Sequence, residues 1–102
     1  MKYYLAILSL LVFTSASHAN DAHKKCSSYS EYAEIIMTQR QSGTPMPEMI
    51  ELVNGDGKIF EDLVFSAYEI PRYDTKKMQN NTIKDFRDNV YLNCRKGFKA
   101  LK

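Results

Sequence analysis

Apolar residues recur every three or four positions in four stretches between residues 29 and 95, which is the spacing of one face of an α-helix. These stretches predict helices over residues 29–41, 45–53, 58–69 and 76–95, with the second helix short. No segment alternates apolar and polar residues in the manner of a β-strand. The pattern therefore predicts a small all-α protein.

Local signals predict where the first helix begins and ends. Ser28, Tyr29, Ser30 and Glu31 match a capping box, in which a serine hydroxyl and a glutamate carboxylate pair with free backbone N–H groups. Gly43 is a natural stop. We expect the polar residues before the box, 20–25, to form a loose arm.

The other helices have signals of the same kind. Thr44 can cap the second helix, and Pro71 ends the third because a proline disfavours helical backbone at the residue before it. Asp74 or Thr75 can cap the fourth helix. Residues 79–82 are poor helix formers, so we expect fraying or a kink there.

The first nineteen residues have the pattern of an export signal. Lys2 precedes an apolar run over residues 3–13, and Ser17 and Ala19 are the small residues that signal peptidase requires before its cut. The run is too short to span a bilayer as a stable helix, and no second run follows. We predict cleavage after Ala19, which leaves a single domain, residues 20–102, in the periplasm or outside the cell and without a stable membrane anchor.

The two cysteines, Cys26 and Cys94, lie near the two ends of this mature domain. In an exported protein such a pair predicts a disulfide, and the chain-entropy model gives it about 4 kcal/mol of stabilisation as an upper figure. Bridged cysteines need Cα atoms within about 7 Å of each other. The start of the first helix must then lie beside the end of the fourth, which favours an up-down-up-down four-helix bundle over a three-helix bundle.

Charge argues against a nucleic-acid partner. The leader holds one of the 14 basic residues and none of the 12 acidic residues, so the mature domain has a formal charge of +1. The basic residues are only modestly clustered, which indicates a mixed, solvated surface.

Groups that could carry catalysis are few. His23 lies in the polar arm, both cysteines are assigned to the disulfide, no glycine-rich phosphate loop occurs, and residues 54–57 lack the carboxylate spacing of a calcium loop. Three acidic pairs fall on polar helix faces, where solvated carboxylates are a simpler interpretation than a glycosidase pair: Glu31 and Glu34, Glu48 and Glu51, Asp85 and Asp88. We therefore expect no enzyme activity, no metal and no cofactor.

Two predicted connections, residues 41–44 and 71–74, are the best candidates for contact with another protein. Tyrosine and arginine are common in protein interfaces. We predict a partner-binding surface that consists of Arg40, Gln41, Arg72 and Tyr73. The basic tail, residues 95–102, could also touch anionic lipid or an acidic partner, although a frayed, solvated terminus explains it as well.

The general plan of an exported, small, helical domain with one disulfide resembles the acid-stress chaperones of the bacterial periplasm. In that family the cysteines enclose a shorter central stretch, whereas here they bracket nearly the whole domain. The sequence favours a module that binds another envelope or secreted protein, for example as an inhibitor or an immunity-type protein. An acid-activated chaperone and an accessory envelope protein are the alternatives.

Overall fold

The computed structural model describes the backbone of residues 2–100 and the side chains of residues 20–99. Its four α-helices are α1 (Lys2–Ser42), α2 (Met46–Val53), α3 (Lys58–Tyr68) and α4 (Lys76–Ala100). No strand occurs in this part of the chain, so the predicted all-α class is confirmed. A search of the described helices finds none with both the length and the apolarity needed to cross a membrane.

The helices follow the predicted up-down-up-down order. Tyr29 of α1 contacts Phe60 near the start of α3, and Arg40 lies over the ring of Tyr68 at the end of α3. α1 and α3 are therefore parallel. α4 runs back along α1 in the opposite direction and makes the most extensive helix–helix contact of the molecule.

The predicted disulfide is confirmed and joins α1 to α4. The Cα atoms of Cys26 and Cys94 lie 5.5 Å apart. Around Cys26, α1 buries the small residues Ala22 and Ser30, which let two helix backbones approach closely. At this end the disulfide ties together two helices that bury few large side chains.

The hydrophobic core lies at the other end, where all four helices contribute. Its fully buried members are Ala33, Ile36 and Met37 of α1, Met49 and Val53 of α2, Val64 and Ala67 of α3, and Phe86 of α4. All belong to the predicted helical stretches, since the spacing of three and four residues places them on one face of each helix. α2, although short, closes this core over α1 and α3.

The start of α1 differs from the prediction. Residues 20–25 are helical rather than a loose arm, and no helix begins at the predicted capping box. The Ser30 hydroxyl instead donates a hydrogen bond to the Ser27 carbonyl within the helix, at 2.8 Å. The helical backbone continues through the predicted cleavage point after Ala19, and the side chains of the predicted leader lie outside the described residues.

α1 ends at Ser42, next to Gly43, which the sequence predicted as the stop. Gly43 has a φ of +96°, and its N–H donates to the Arg40 carbonyl while the Thr44 N–H donates to the Gln39 carbonyl. This is the Schellman arrangement, which favours glycine because side chains disfavour a left-handed backbone. Thr44 does not cap α2, however, because its hydroxyl donates to the Gln39 side chain instead.

The start of α4 is capped by Thr75, whose hydroxyl accepts a hydrogen bond from the Met78 N–H at 3.2 Å. Residues 79–82, where we predicted fraying or a kink, lie within continuous helix, and the predicted end at residue 95 is too early, because the helix continues to Ala100. The last two residues of the basic tail lie outside the described chain.

Candidate functional site

The four residues predicted to bind a partner do come together, where α1 ends and α3 connects to α4. At the centre is Gln41, which is 1% exposed. Its amide nitrogen donates to the Pro71 carbonyl at 2.9 Å, and its amide oxygen accepts the Tyr73 N–H at 2.9 Å. Gln41 thus pairs with backbone groups of the connection and has almost no surface to offer to a partner.

The two arginines reinforce the same connection. Arg72 donates from Nε to the Gln41 carbonyl at 2.8 Å, in the last turn of α1, where carbonyls lack partners within the helix. Arg40 donates from Nε to the Ile70 carbonyl at 3.1 Å. We refer to Arg40, Gln41, Arg72 and Tyr73 as the loop clamp, since their contacts hold the α3–α4 connection against α1.

Tyr68 extends the loop clamp toward the start of α2. Its hydroxyl donates to the Thr44 carbonyl, and the Arg40 guanidinium lies 4.9 Å from the centre of its ring. Burial raises the pKa of the Tyr68 phenol above 10.0, while Arg40 acts to lower that pKa and Glu48 to raise it. The protonated phenol is the form that can donate this hydrogen bond.

His23 has a partner that the sequence did not reveal. Its Nδ1 lies 2.9 Å from the Tyr91 hydroxyl, and Arg95 donates to the same hydroxyl at 2.9 Å. All three residues lie within a turn of the disulfide on α1 and α4. This cluster is exposed and joins the two helices at the disulfide end.

The acidic pairs lie on the surface, as expected. Glu34 forms an ion pair with Arg87 at 3.6 Å, and Asp88 contacts the same arginine at 3.3 Å. Glu31 and Glu34 border a shallow depression of about 460 Å³ along α1. Among the described residues no group of three or more His, Cys, Asp or Glu side chains is placed to hold a metal ion.

A groove of about 800 Å³ lies between α3 and α4. These two helices are consecutive in sequence but make little direct contact, because each packs on α1 instead. The α3 wall presents Ile59, Leu63, Ser66, Glu69 and Ile70. The α4 wall presents Phe86, Asn89, Val90, Asn93 and Cys94, and Tyr29 of α1 also lines the groove.

Sequence reasoning missed this groove, although the signal was present on α3. Phe60, Val64 and Ala67 form one apolar row that packs into the core. Ile59 and Leu63 of α3 and Ile70, two residues after its end, form a second row that lines the groove, with Leu63 and Ile70 also touching the core. A helix with two adjacent apolar rows needs two neighbours, and within the described chain the second row faces the groove.

Acidic and basic residues are also more segregated along the chain than the formal net charge suggested. Residues 46–69 carry six carboxylates and one lysine, whereas residues 76–99 carry seven basic and two acidic side chains. The groove therefore lies between an acidic hairpin and a basic helix. Yet Glu69 is the only ionised side chain among its lining residues.

No protein-family model, curated protein or solved structure significantly matches this chain.

Proposed function

We propose that the mature domain is an exported binding module that holds a segment of another envelope or secreted protein in the groove between α3 and α4. The observation that supports this proposal is the apolar row Ile59, Leu63 and Ile70, which lines an open groove and leaves Ile59 44% exposed. An apolar concavity bordered by polar side chains is typical of a protein-binding surface. Ser66, Asn89 and Asn93 supply hydrogen-bonding groups along its edges.

The length of the groove suits a helical segment. The α3 wall is formed by a helix of 11 residues, Lys58–Tyr68, which extends about 16 Å at about 1.5 Å per residue. That length matches about three turns of a partner helix. Laying the apolar face of a helix into such a groove is a common mode of recognition.

The rest of the molecule is better suited to binding a partner than to catalysing a reaction. The disulfide ties α4 to α1, and the loop clamp fixes the connection between the two walls of the groove. A frame fixed in advance loses less conformational entropy on binding. We assign the residues of the loop clamp to positioning the walls, with Arg72 the most exposed of them.

Site-directed photocrosslinking tests the proposal. A photoreactive phenylalanine analogue would replace Asn89, inside the groove, or Leu92, which is 49% exposed on α4 and does not line the groove. We expect a discrete crosslinked product in the native envelope from position 89 and none of that mass from position 92.

A variant with a filled groove provides a second test of the proposal. Ser66→Trp would fill the groove without changing charge, whereas Leu92→Trp places the same side chain outside it. We expect Ser66→Trp to abolish the crosslink at position 89 while Leu92→Trp leaves it intact, both variants having unchanged circular dichroism. Equal crosslinking in both variants would contradict the proposal.

A further inference from the structure

The edges of the groove differ in charge, and this difference bears on the kind of segment that can occupy it. Glu69, the residue that caps the end of α3, lines the groove, and Asp62 of α3 lies seven residues earlier, or about 10 Å along the same side of the helix. Both side chains are exposed. The outer edge of the α3 wall is therefore acidic.

The α4 edge is neutral where it faces the groove. Its lining residues there include Asn89 and Asn93 but no lysine or arginine. Two of its basic residues are engaged elsewhere: Arg87 contacts Glu34 and Asp88, and Arg95 contacts Tyr91. No basic side chain in the described part of α4 therefore lines the groove opposite the acidic edge.

We infer that the occupant of the groove is a basic amphipathic helix of about three turns, with an apolar face for the α3 row and lysine or arginine along the flank that meets Asp62 and Glu69. This inference rests on the proposed function and names the partner class. Two basic residues seven positions apart on the partner would match the spacing of the two carboxylates. An uncharged flank would face the asparagines of α4.

Charge complementarity at an exposed edge acts mainly on partner choice and association rate and is weakened by salt. An acidic helix of the same apolar pattern would meet repulsion from Asp62 and Glu69. The structure thus predicts discrimination between two peptides that differ only in the sign of the flanking charges.

Binding of synthetic peptides to the disulfide-bonded mature protein tests this inference. One fluorescein-labelled peptide of about fourteen residues would carry leucines spaced like the α3 row and two lysines seven positions apart. The matched peptide would carry glutamates at those two positions. We expect about tenfold tighter binding of the lysine peptide at low salt, with the ratio shrinking at high salt.

Charge reversal on the protein supplies the control. Asp62→Lys combined with Glu69→Lys should invert the preference between the peptides. Asp56→Lys combined with Glu61→Lys changes the net charge equally but lies off the lining, and it should preserve the preference for the lysine peptide. Equal affinity of the two peptides for the natural protein, or inversion by the second pair as well, would overturn the inference.

Failure of the inference can be told apart from failure of the proposed function. If neither peptide binds but position 89 still crosslinks, the occupant is of another class and the groove remains a binding site. If the crosslink is also absent, both proposals fail. Sedimentation that shows a dimer abolished by Ser66→Trp would overturn the inference by showing that a second copy fills the groove.

Discussion

Gln41 satisfies two backbone groups at once in the connection between α3 and α4. A buried carbonyl or N–H group without a partner costs about 1–3 kcal/mol, which is more than a typical hydrogen bond contributes. The glutamine is thus placed where its loss leaves two polar groups without partners. It is a structural residue at the centre of what the sequence suggested was a binding surface.

Replacing Gln41 by leucine should therefore lower the free energy of unfolding by about 2–4 kcal/mol. Gln39→Leu, two residues earlier and half-buried, is the matched control and should cost less than about 1 kcal/mol. Urea unfolding followed by circular dichroism measures both. Similar losses for the two variants would show that the buried hydrogen bonds of Gln41 are not the cause.

We expect deprotonation of the Tyr68 phenol to lower the free energy of unfolding at alkaline pH. Its pKa is higher in the folded than in the unfolded state, so the folded state holds the phenol proton more tightly. The resulting contribution to stability is complete below the unfolded pKa of about 10 and is lost as the pH rises through the folded pKa. The hydrogen bond to Thr44 is lost with the proton.

We expect Tyr68→Phe to cost about 1 kcal/mol at about pH 8 and to remove the Tyr68 part of the stability loss above about pH 10. Tyr32→Phe is the control, since it removes the hydroxyl of an exposed tyrosine and keeps the ring that packs on Phe60, and it should change stability at about pH 8 less than Tyr68→Phe does. Unfolding free energies across this pH range provide the measurement. An unchanged profile in Tyr68→Phe would contradict the assignment.

At the scale of the element, α1 ends where it does because Gly43 adopts a left-handed backbone beside Arg72. A Cβ atom at this position would lie 3.3 Å from the Arg72 guanidinium carbon. Gly97 differs, because it lies within α4 and a Cβ there would meet nothing within 4 Å. Substitution of alanine for each of the two glycines should therefore have opposite effects on stability.

Gly43→Ala should lower stability by about 1–2 kcal/mol, since alanine disfavours the left-handed backbone. Gly97→Ala should raise stability by up to about 1 kcal/mol, because alanine is the better helix former. Thermal and urea unfolding of the pair check the signs. Two changes of the same sign would show that local backbone geometry does not control these positions.

At the scale of the whole molecule, the core and the disulfide stabilise opposite ends. The four-helix core is centred on Ile36, Met37 and Val64, whereas the region around Cys26 and Cys94 buries mostly small side chains. Stability should consequently be uneven along α1 and α4. Local opening is expected first where few apolar contacts hold the helices together.

Reduction of the disulfide should lower the free energy of unfolding by up to about 4 kcal/mol, because the cross-link restricts the unfolded chain. Amides in residues 20–30 and 91–99 should lose protection from hydrogen exchange more than those around Ile36. Exchange measured with and without reductant tests this. An equal loss of hydrogen-exchange protection at both ends would contradict the expectation that the disulfide stabilises one end and the core the other.

Acid should have less effect on the fold than the chaperone alternative requires. Every carboxylate among residues 20–99 is exposed or half-exposed, so none is packed in the hydrophobic core that joins the four helices. We expect the helical circular dichroism to persist at about pH 3 with the disulfide intact. Unfolding with exposure of apolar surface at that pH would instead favour an acid-activated chaperone.

Much of the local structure was predictable from the chain. The spacing of apolar residues determined three of the four helices to within a few residues, and Gly43, Pro71 and Thr75 marked their ends because they act through backbone geometry and nearby hydrogen bonds. The pair of cysteines determined the antiparallel partner of α1. The start of α1 was not predictable in this way, because a local capping signal at Ser28 to Glu31 was overridden by continuous helical packing on α4.

Only the tertiary structure decided which surfaces remain open. The sequence identified Arg40, Gln41, Arg72 and Tyr73 as one candidate surface, and the burial of Gln41 and the hydrogen bonds that hold the connection emerged only when residues about thirty positions apart were brought together. The groove depends in the same way on α3 and α4 both packing on α1 rather than on each other. Periodicity determines the faces of a helix, but distances between helices arise from packing among residues that are far apart in the chain.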